Sequence, residues 1–427
     1  MDEQAKYKKR IADQMLKEQL EAAGAVLIQG PKWCGKTTTA RQQALSVLNM
    51  DNPKMTKEYL MLAENDPEIL LDGDVPRLLD EWQMAPQLWD TARHVIDRRG
   101  KPGQFIFTGS AVPADRSKIS HTGTGRFAWL TMRPMSLWES GESNGRISLL
   151  DLFAGQMKSC VAPDSSLEEM AYILCRGGWP GAIGQKKETS LRMATNYVKA
   201  ICECDISRVD DVQRDPGFAL RLLRTYSRHQ GGQVPVGTLY SDLTTNGGNS
   251  LTENTISLYL SALKKIFVIE DMPAWNPNLR SKSAIRTSDT RYFVDPSVAT
   301  AALGIGPKDL MNDLKTFGLL FETMAVRDLR VYADALDGNV FHYRDSNGLE
   351  CDAVLHLRNG SYGLIEIKLG GETLIEEGAK TLKKLSDKID TTKMKKPAFK
   401  MVLTATGAYA YNRNDGVMVV PIGCLKN

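Results

Sequence analysis

Apolar and polar positions alternate along this chain in patterns that change from one stretch to the next. Residues 1–22 are charged with helical spacing, which predicts an N-terminal amphipathic helix. From 23 to 150, short apolar runs such as "AVLI" and "FIF" alternate with helical stretches such as "QLWDTARHVIDRR". This alternation is typical of an α/β sheet. Residues 151–215 predict a helical, lid-like region, interrupted by a Gly/Pro loop in "RGGWPGAI".

Residues 216–300 combine three helical segments with the strand-like runs "FVIEDMPAW" and "RYFVD". This order predicts a winged helix, whose last helix could enter the major groove of DNA. Such modules also serve as packing spacers, and the sequence favours neither role. The last helix begins at a cap, Ser250 or Thr252, and its apolar face is formed by Ile256, Leu260 and Leu263. The residues predicted to be exposed on this helix are Glu253, Asn254, Ser257, Lys264 and Lys265. Only the two lysines are cations.

The composition, 42% hydrophobic and 25% charged over 427 residues, is that of an ordinary globular protein with several domains. A net charge of +3 is too small to indicate nucleic-acid binding without a local cluster. Eight lysines between Lys380 and Lys400 stand against two aspartates. A solvated helix face and a phosphate-binding patch both explain this excess.

The cysteines and the N-terminus bear on the compartment. Seven cysteines without a C-x-x-C pair indicate reduced thiols and no zinc site. The N-terminal residues lack the apolar core of a signal peptide, and no run approaches the length of a membrane span. We therefore expect a cytoplasmic protein with no membrane partner.

The stretch "AVLIQGPKWCGKTTTA" matches G-x-x-x-x-G-K-T, with an apolar strand before the loop and a helix after it. The glycines allow the backbone to wrap around phosphates, while N–H groups and the helix N-terminus supply partial positive charge. Lys36 would reach the β- and γ-phosphates of ATP, and the Thr37 hydroxyl would bind Mg²⁺. The predicted nucleotide-binding residues are Gly30, Pro31, Cys34, Gly35, Lys36, Thr37 and Thr38.

A second acidic motif lies in "VPRLLDEWQ" at the end of another predicted strand. There Asp80 would hold Mg²⁺ and Glu81 would polarise the attacking water. The strand "QFIFTGS" ends in Thr108 and Ser110, which are suited to sensing the γ-phosphate. Arg126 is a candidate for stabilising charge. Thr108 and Ser110 are explained equally well as ordinary polar residues at the end of a strand, and Arg126 as an ordinary surface arginine.

Several of these motifs together carry a resemblance. "GPKWCGKTTT", "LLDEWQMAP", "FIFTGS", "GRFAWLTMRPMSLWE" and "GGWPGAI" occur in an order that resembles a large prokaryotic family of AAA-like P-loop ATPases related to the archaeal ATPases. The resemblance extends from about residue 20 to the end of the chain. It implies ATP binding and a C-terminal domain with a restriction-endonuclease-like core, but it supplies no cellular role.

The stretch "LECDAVLHLRNGSYGLIEIKL" at 349–369 predicts a hairpin around an Asn-Gly turn. A two-residue loop would pair Asp352 with Ile367 and mix charge with aliphatics on both faces. A three-residue loop at 358–360, with its glycine left-handed, sets Asp352 opposite Glu366. The hydrophobic pattern selects this longer loop, because only then do the apolar residues gather on one face.

Metal-dependent phosphodiester cleavage requires carboxylates close enough to share Mg²⁺ or Mn²⁺ and a lysine that orients water. Asp352, Glu366 and Lys368 resemble the D…E-x-K signature of the restriction-endonuclease-like fold, although Cys351 stands where the signature is named for proline. Glu322, alone in an apolar stripe of the preceding helix, is costly to bury unpaired and fits a further metal ligand. A solvent-facing salt-bridge ladder explains the same residues.

The sequence therefore predicts an α/β protein with an AAA-like P-loop NTPase domain, a helical and winged-helix middle, and a restriction-endonuclease-like C-terminal domain. The predicted segments are 1–22 for the N-terminal helix, 23–150 for the ATPase, 151–215 for the lid-like region, 216–300 for the winged helix and 301–427 for the nuclease-like domain. The predicted function is ATP hydrolysis with Mg²⁺, coupled to action on DNA or other nucleic acid with Mg²⁺ or Mn²⁺. The alternatives are a nucleotide-switched regulator that only binds DNA or protein, and a regulatory ATPase unconnected with nucleic acid. The sequence leaves self-association open.

Overall fold

The computed structural model describes residues 7–109, 123–210, 212–244, 252–277 and 288–427. The chain forms two compact units. The first comprises residues up to Pro134 with Glu203–Asp215 and Ser261–Phe267, and the second comprises Met135–Cys202, Pro216–Leu260 and Val268–Asn427. Ser110 and Ser250, considered above, lie outside the described residues.

Helices and strands alternate along most of the chain. The helices are α1 (Ile11–Ala22), α2 (Lys36–Arg41), α3 (Thr56–Asn65), α4 (Leu88–Arg99), α5 (Leu137–Ser140), α6 (Leu149–Phe153), α7 (Leu167–Arg176), α8 (Lys187–Ala200), α9 (Pro216–Ser227), α10 (Val236–Thr244), α11 (Glu253–Lys265), α12 (Pro296–Leu303), α13 (Pro307–Asn312), α14 (Leu314–Asp334) and α15 (Glu372–Lys388). The strands are β1 (Ala25–Gln29), β2 (Ser46–Asn49), β3 (Arg77–Asp80), β4 (Phe105–Gly109), β5 (Phe127–Thr131), β6 (Ile147–Ser148), β7 (Cys160–Val161), β8 (Gly338–Arg344), β9 (Glu350–Leu357), β10 (Tyr362–Lys368), β11 (Phe399–Thr404), β12 (Tyr409–Asn412), β13 (Met418–Pro421) and β14 (Leu425–Lys426). A π-helical turn, Ile201–Asp205, follows α8. In the described part of the chain, every helix is too short or too polar to cross a membrane.

The first unit is built on a parallel five-stranded sheet with the order β2-β3-β4-β1-β5. Its inner strands are almost wholly buried because a parallel sheet is covered on both faces. Leu27 and Phe107 belong to one apolar cluster, and Val26 and Ile106 belong to the other. The observed parallel sheet thus confirms the α/β sheet predicted from the alternating pattern. Since the strands run the same way, the ends of β1, β3 and β4 meet at one edge.

The second unit contains a seven-stranded mixed sheet with the order β7-β12-β13-β11-β10-β9-β8. Strands β8, β9 and β10 are antiparallel neighbours, whereas β10, β11 and β13 are parallel. In the β9–β10 hairpin, Tyr362 pairs with His356 and Ile365 pairs with Ala353. Gly360 has a φ of +80° in the turn. The three-residue loop and the register predicted from the hydrophobic pattern are therefore confirmed.

The hairpin face that carries Asp352 and Glu366 is not polar along its length. Toward the turn, Val354 and Leu364 on this face belong to an apolar core with residues of α15. Glu366 itself is only 4% exposed. Charge is therefore concentrated at one end of the two strands, and the remainder of the face is core. The period of two in the sequence could not reveal this covering helix.

Helices α9, α10 and α11 lead into antiparallel bridges between residues 269–272 and 290–293. On α11, Ile256, Leu260 and Leu263 are buried. Its predicted polar residues are exposed, so the amphipathic interpretation of this helix is confirmed. The winged-helix fold of this region, and the restriction-endonuclease-like fold of the C-terminal residues, stay predictions.

Arg327 on α14 is the centre of a buried charge cluster in the second unit. Its side chain is 2% exposed, and its guanidinium contacts Asp295 Oδ2 and Asp328 Oδ1, each at 2.7 Å. Burial opposes the charge of Arg327, but the two carboxylates hold its pKa above the ordinary value. One guanidinium therefore joins the N-cap of α12, which is Asp295, to α14.

The same carboxylates hold two loops through their main chains. Gly178 N donates to Asp295 Oδ2 at 2.9 Å, and Leu137 N donates to Asp328 Oδ2 at 2.9 Å. The loops also bond to each other, because Met135 N donates to Gly178 O at 2.6 Å. A Cβ atom on Gly178 would lie 2.3 Å from Met135 O. The segments "RPMSLWE" and "GGWPGAI" are thus fixed by packing against one charge cluster.

We expect Arg327→Met to lower the free energy of unfolding by about 3–5 kcal/mol, because it leaves two buried carboxylates without their counter-charge. The measurement is urea unfolding followed by circular dichroism. Arg344→Met is the matched control, since Arg344 pairs with Glu350 at the surface and such pairs contribute less than about 1 kcal/mol. Equal losses in both variants would contradict a special role for the buried cluster.

Candidate functional site

The loop from Gly30 to Gly35 joins β1 to α2 and has the backbone of a phosphate-binding loop. Gly30 has a φ of +150°, and a Cβ atom there would lie 2.0 Å from Met132 O. Gly35, with a φ of +101°, is the residue before α2. Trp33 between them also has a positive φ of 66° and is exposed. The two glycines of the motif are therefore required by backbone geometry.

Lys36 is buried, with its ammonium held at the loop. Its Nζ donates to Gly30 O at 2.9 Å and to Pro31 O at 2.7 Å. Both acceptors are neutral carbonyl oxygens. The ammonium is therefore held by neutral oxygens at the position where the pattern predicts a phosphate contact. Thr38, the last residue of the predicted set, is exposed on α2.

Two hydroxyl side chains from neighbouring elements meet at Asp80. Thr37 Oγ1 donates to Asp80 Oδ1 at 2.9 Å, and Thr108 Oγ1 donates to the same oxygen at 2.6 Å. Asp80 is 8% exposed. The sheet order explains the cluster, since β4 lies between β1 and β3 and carries Thr108 to the same edge. A hydroxyl and a carboxylate are oxygen ligands of the type that Mg²⁺ takes.

Glu81 follows Asp80 in a left-handed conformation with a φ of +54°. This backbone costs about 1–2 kcal/mol for a residue with a side chain, and such strain clusters at active sites. Burial raises the pKa of Glu81, while a hydrogen bond from Gln83 lowers it. The charges of Lys36 and Lys32 also lower it. The carboxylate therefore lies in the field of two loop lysines.

Arg10 also belongs to this region, although it was not predicted from the sequence. It is 7% exposed, and its guanidinium donates to Cys34 O at 2.7 Å and to Arg133 O at 2.8 Å. Cys34 is buried, and its thiol donates to Met132 O at 3.5 Å. These hydrogen bonds hold the loop residue Cys34 close to Arg133. In the sequence Arg10 was visible only as a basic residue before the first helix.

Arg126, the candidate charge-stabilising arginine, is partly exposed. Its Nε donates to Asp97 Oδ1 at 2.8 Å, and both side chains are more than one-third exposed. In this conformation it forms a surface ion pair with α4. Its predicted role in charge stabilisation stays a prediction.

A second group of ionisable residues lies at the end of the β9–β10 hairpin. Lys368 Nζ contacts Asp352 Oδ2 at 3.0 Å and Glu366 Oε2 at 2.7 Å. Asp352 Oδ2 also accepts a hydrogen bond from Ile367 N at 2.7 Å. The two carboxylates thus share one face of the hairpin and one ammonium, as the register predicts.

Glu322 on α14 approaches this group from the helix that precedes the hairpin. It accepts a hydrogen bond from the Tyr292 hydroxyl, and a Cβ atom on Gly231 would lie 3.0 Å from its carboxylate. Burial, and then the charge of Asp352, raise the pKa of Glu322 to about 8. The same two causes raise the pKa of Glu366 to about 8. Tyr292 was not predicted from the sequence.

The described residues contain no group of three or more His, Cys, Asp or Glu side chains arranged to hold a metal ion. At the hairpin, Lys368 lies between the two carboxylates instead. In this conformation Glu322, Asp352 and Glu366 therefore do not form a metal cage. Their predicted role as metal ligands stays a prediction.

Comparison with known proteins identifies the class of the first segment. Residues 22–140 match a family model described as an AAA domain. This match supports an AAA-like P-loop ATPase domain in this part of the chain, a class that binds ATP and usually a divalent metal such as Mg²⁺. Residues 167–309 and 317–425 match two models described as domains of unknown function, DUF8612 and DUF4143.

Two proteins similar to this chain come from mycobacteria. The chain is 25% identical over 367 residues to the uncharacterized proteins Rv2008c of Mycobacterium tuberculosis and Mb2031c of Mycobacterium bovis. The match covers 84% of this chain and 74% of each relative. A solved structure, the Walker-type ATPase PABY2304 of Pyrococcus abyssi, is 16% identical with a TM-score of 0.42, covering 70% of this chain and 97% of that one.

We expect Glu322→Gln to stabilise the protein at high pH. The folded protein retains a proton on Glu322 at a pH where the unfolded chain has lost it, because the pKa is raised to about 8. The stability associated with that proton is present below the ordinary pKa and is lost as the pH rises through the raised one. Glutamine keeps an acceptor for Tyr292 but carries no charge.

The variant should therefore unfold with a free energy on the order of 1–3 kcal/mol above that of the parent at about pH 9, and equal to it at about pH 4. The measurement is urea unfolding in buffer with EDTA at both pH values. Glu350→Gln, at the exposed start of β9, is the control. If the difference in unfolding free energy between Glu322→Gln and the parent is the same at both pH values, burial does not disfavour the charged form of Glu322, and the prediction is wrong.

Proposed function

We propose that the chain binds ATP with Mg²⁺ at the loop formed by residues 30–38 and hydrolyses it. The observation that carries this proposal is the meeting of Thr37, Asp80 and Thr108 at the sheet edge beside Lys36. Loop N–H groups, the charge of Lys36 and two oxygen ligands for Mg²⁺ are what a triphosphate requires. The AAA domain match over residues 22–140 supports the same conclusion.

Each residue has a distinct role in this proposal. Lys36 binds the β- and γ-phosphates, and Thr37 and Asp80 hold Mg²⁺, which offsets phosphate charge when bound. Glu81 accepts a hydrogen bond from the attacking water and orients it. Thr108 positions Asp80 through its hydroxyl and lies where the terminal phosphate would be sensed. The raised pKa of Glu81 suits a group that takes up a proton during hydrolysis.

We expect Lys36→Ala to weaken ATP binding by about 10- to 100-fold, the value of a charge-assisted hydrogen bond to phosphate. The measurement is isothermal titration calorimetry with ATP and Mg²⁺. Lys57→Ala, an exposed lysine of α3 in the same unit, is the control and should bind as the parent does. ATP affinity that is unchanged in Lys36→Ala would refute the proposed site.

Glu81→Gln should separate binding from turnover. The amide cannot act as a base, so we expect ATP hydrolysis to fall about 100-fold or more while affinity stays within about 3-fold. Phosphate release from a purified preparation gives the rate. Unchanged turnover would assign the water-activating role to another residue.

We further propose, as the second candidate function, that the hairpin group acts on the phosphodiester backbone of a nucleic acid. Asp352, Glu366 and Lys368 share one face, and Glu322 lies beside them. This is the favouring observation, because two carboxylates and a lysine are the residue types that such cleavage uses. The competing proposal is a nucleotide-switched regulator that binds DNA or a protein partner without cleaving it.

The test incubates the protein with single- and double-stranded DNA and RNA in Mg²⁺ or Mn²⁺, with and without ATP. Cleavage that is lost in Asp352→Ala and in Lys368→Ala but retained in Glu350→Ala would support the nuclease proposal. Cleavage that survives Asp352→Ala would come from elsewhere. If no substrate is cut but the protein retards DNA in a mobility-shift assay, the regulator is the better proposal.

A further inference from the structure

A second lysine of the phosphate-binding loop has an ion-pair partner from a distant part of the chain. Lys32 Nζ lies 2.5 Å from Asp205 Oδ1. The Lys32 side chain is 40% exposed, whereas that of Asp205 is 10% exposed. The pair thus joins a loop-tip cation that solvent can reach to a carboxylate that solvent scarcely reaches.

Asp205 is held in place by the segment Glu203–Asp215, which belongs to the first unit. It is the last residue of the π-helical turn after α8, and such turns often mark functional positions. Ile206 and Val209 anchor the segment because both are buried. Arg214 closes it by donating to Ile206 O at 2.8 Å. The carboxylate is therefore presented to the loop by a structured segment.

Lys32 belongs to the loop between Gly30 and Gly35 that we propose to bind the ATP phosphates. Its ammonium, like that of Lys36, is a cation of this loop, and its side chain is partly exposed. A triphosphate held by this loop would bring negative charge to the same place. It would attract Lys32 as it attracts Lys36.

We propose that Lys32 is a second phosphate-binding lysine, and that the ATP phosphates and the Asp205 carboxylate compete for it. The inference rests on the proposed ATP binding. When phosphate takes Lys32, Asp205 is left as a buried carboxylate without this counter-charge, which is unfavourable. The turn that carries Asp205 then loosens to rehydrate this carboxylate, while buried Ile206 and Val209 keep the rest of the segment in place. ATP binding is thereby coupled to the position of the chain between α8 and α9.

The first test is calorimetric titration with ATP and with ADP, each with Mg²⁺. Lys32→Met should weaken ATP binding by about 10-fold and ADP binding by less, since the γ-phosphate brings the additional charge. Lys32→Arg should restore most of the affinity, because it keeps the cation. Asp205→Asn should tighten ATP binding by about 3-fold, since a partly exposed ion pair no longer competes. Arg98→Met, which removes the surface pair with Glu68, is the matched control.

The second test is hydrogen exchange of the segment Glu203–Asp215. In the parent protein its amides should exchange faster with ATP than without it. In Lys32→Met they should exchange at the faster rate without nucleotide, and in Asp205→Asn the response to ATP should be lost. A purely structural pair would change stability in the variants but would not make exchange depend on ATP.

The outcomes separate this inference from the proposed function. If the parent protein binds no ATP, the proposed function fails. If the parent binds ATP and Lys36→Ala does not, while Lys32→Met and Asp205→Asn match the parent in affinity and exchange, the ATPase proposal stands and the competition is refuted.

Discussion

A single buried guanidinium sets the geometry of the second unit. A charge in an apolar core must be neutralised, and Arg327 meets this requirement by drawing in Asp295 and Asp328. Those carboxylates then take the main-chain N–H groups of Gly178 and Leu137, so two loops and two helices are fixed together. Arg327 and Glu322 lie on the same helix, α14. The position of Glu322 beside the hairpin therefore depends on a charge cluster one to two turns away.

Some of this structure follows from the sequence because its physical cause is local. The hairpin register needs only the alternation of side chains and one positive-φ glycine, Gly360, so hydrophobic pattern and turn length determine it. The phosphate-binding loop is equally local, since its glycines and lysine lie within a few residues. The α/β alternation of the first unit and the amphipathic face of α11 belong to the same class.

Other features arise from contacts between residues far apart in the chain, and no local pattern encodes them. Arg10, just before α1, donates to the loop at Cys34. Asp205, which pairs with Lys32, is 173 residues from it in the sequence. The hydrogen bond from the Tyr292 hydroxyl to Glu322 is a further contact of this kind. The apolar core under α15 was also missed, because a strand covered on one face by a helix keeps the same period as an open one. What the sequence conveys is the local residue pattern, and what it omits is which distant segment covers it.

The two lysine sites differ in their electrostatics. Lys36 is held by carbonyl oxygens, so its charge is available to an incoming anion. Lys368 is held by two carboxylates, and burial, followed by the charge of Asp352, raises the pKa of both Glu322 and Glu366. A phosphodiester would approach the second site only after its negative charge is offset by protons or by an added cation. The proposed phosphate site at Lys36 has no such requirement.

The close approach of Gly178 to Met135 bears on how variation at this position should be interpreted. Every other amino acid carries a Cβ atom, and such an atom would lie 2.3 Å from a carbonyl oxygen of the neighbouring loop. A side chain at this position is therefore excluded by lack of space. If Gly178 is invariant among related chains, this packing constraint is enough to explain the invariance, without any contact between the loop and a substrate.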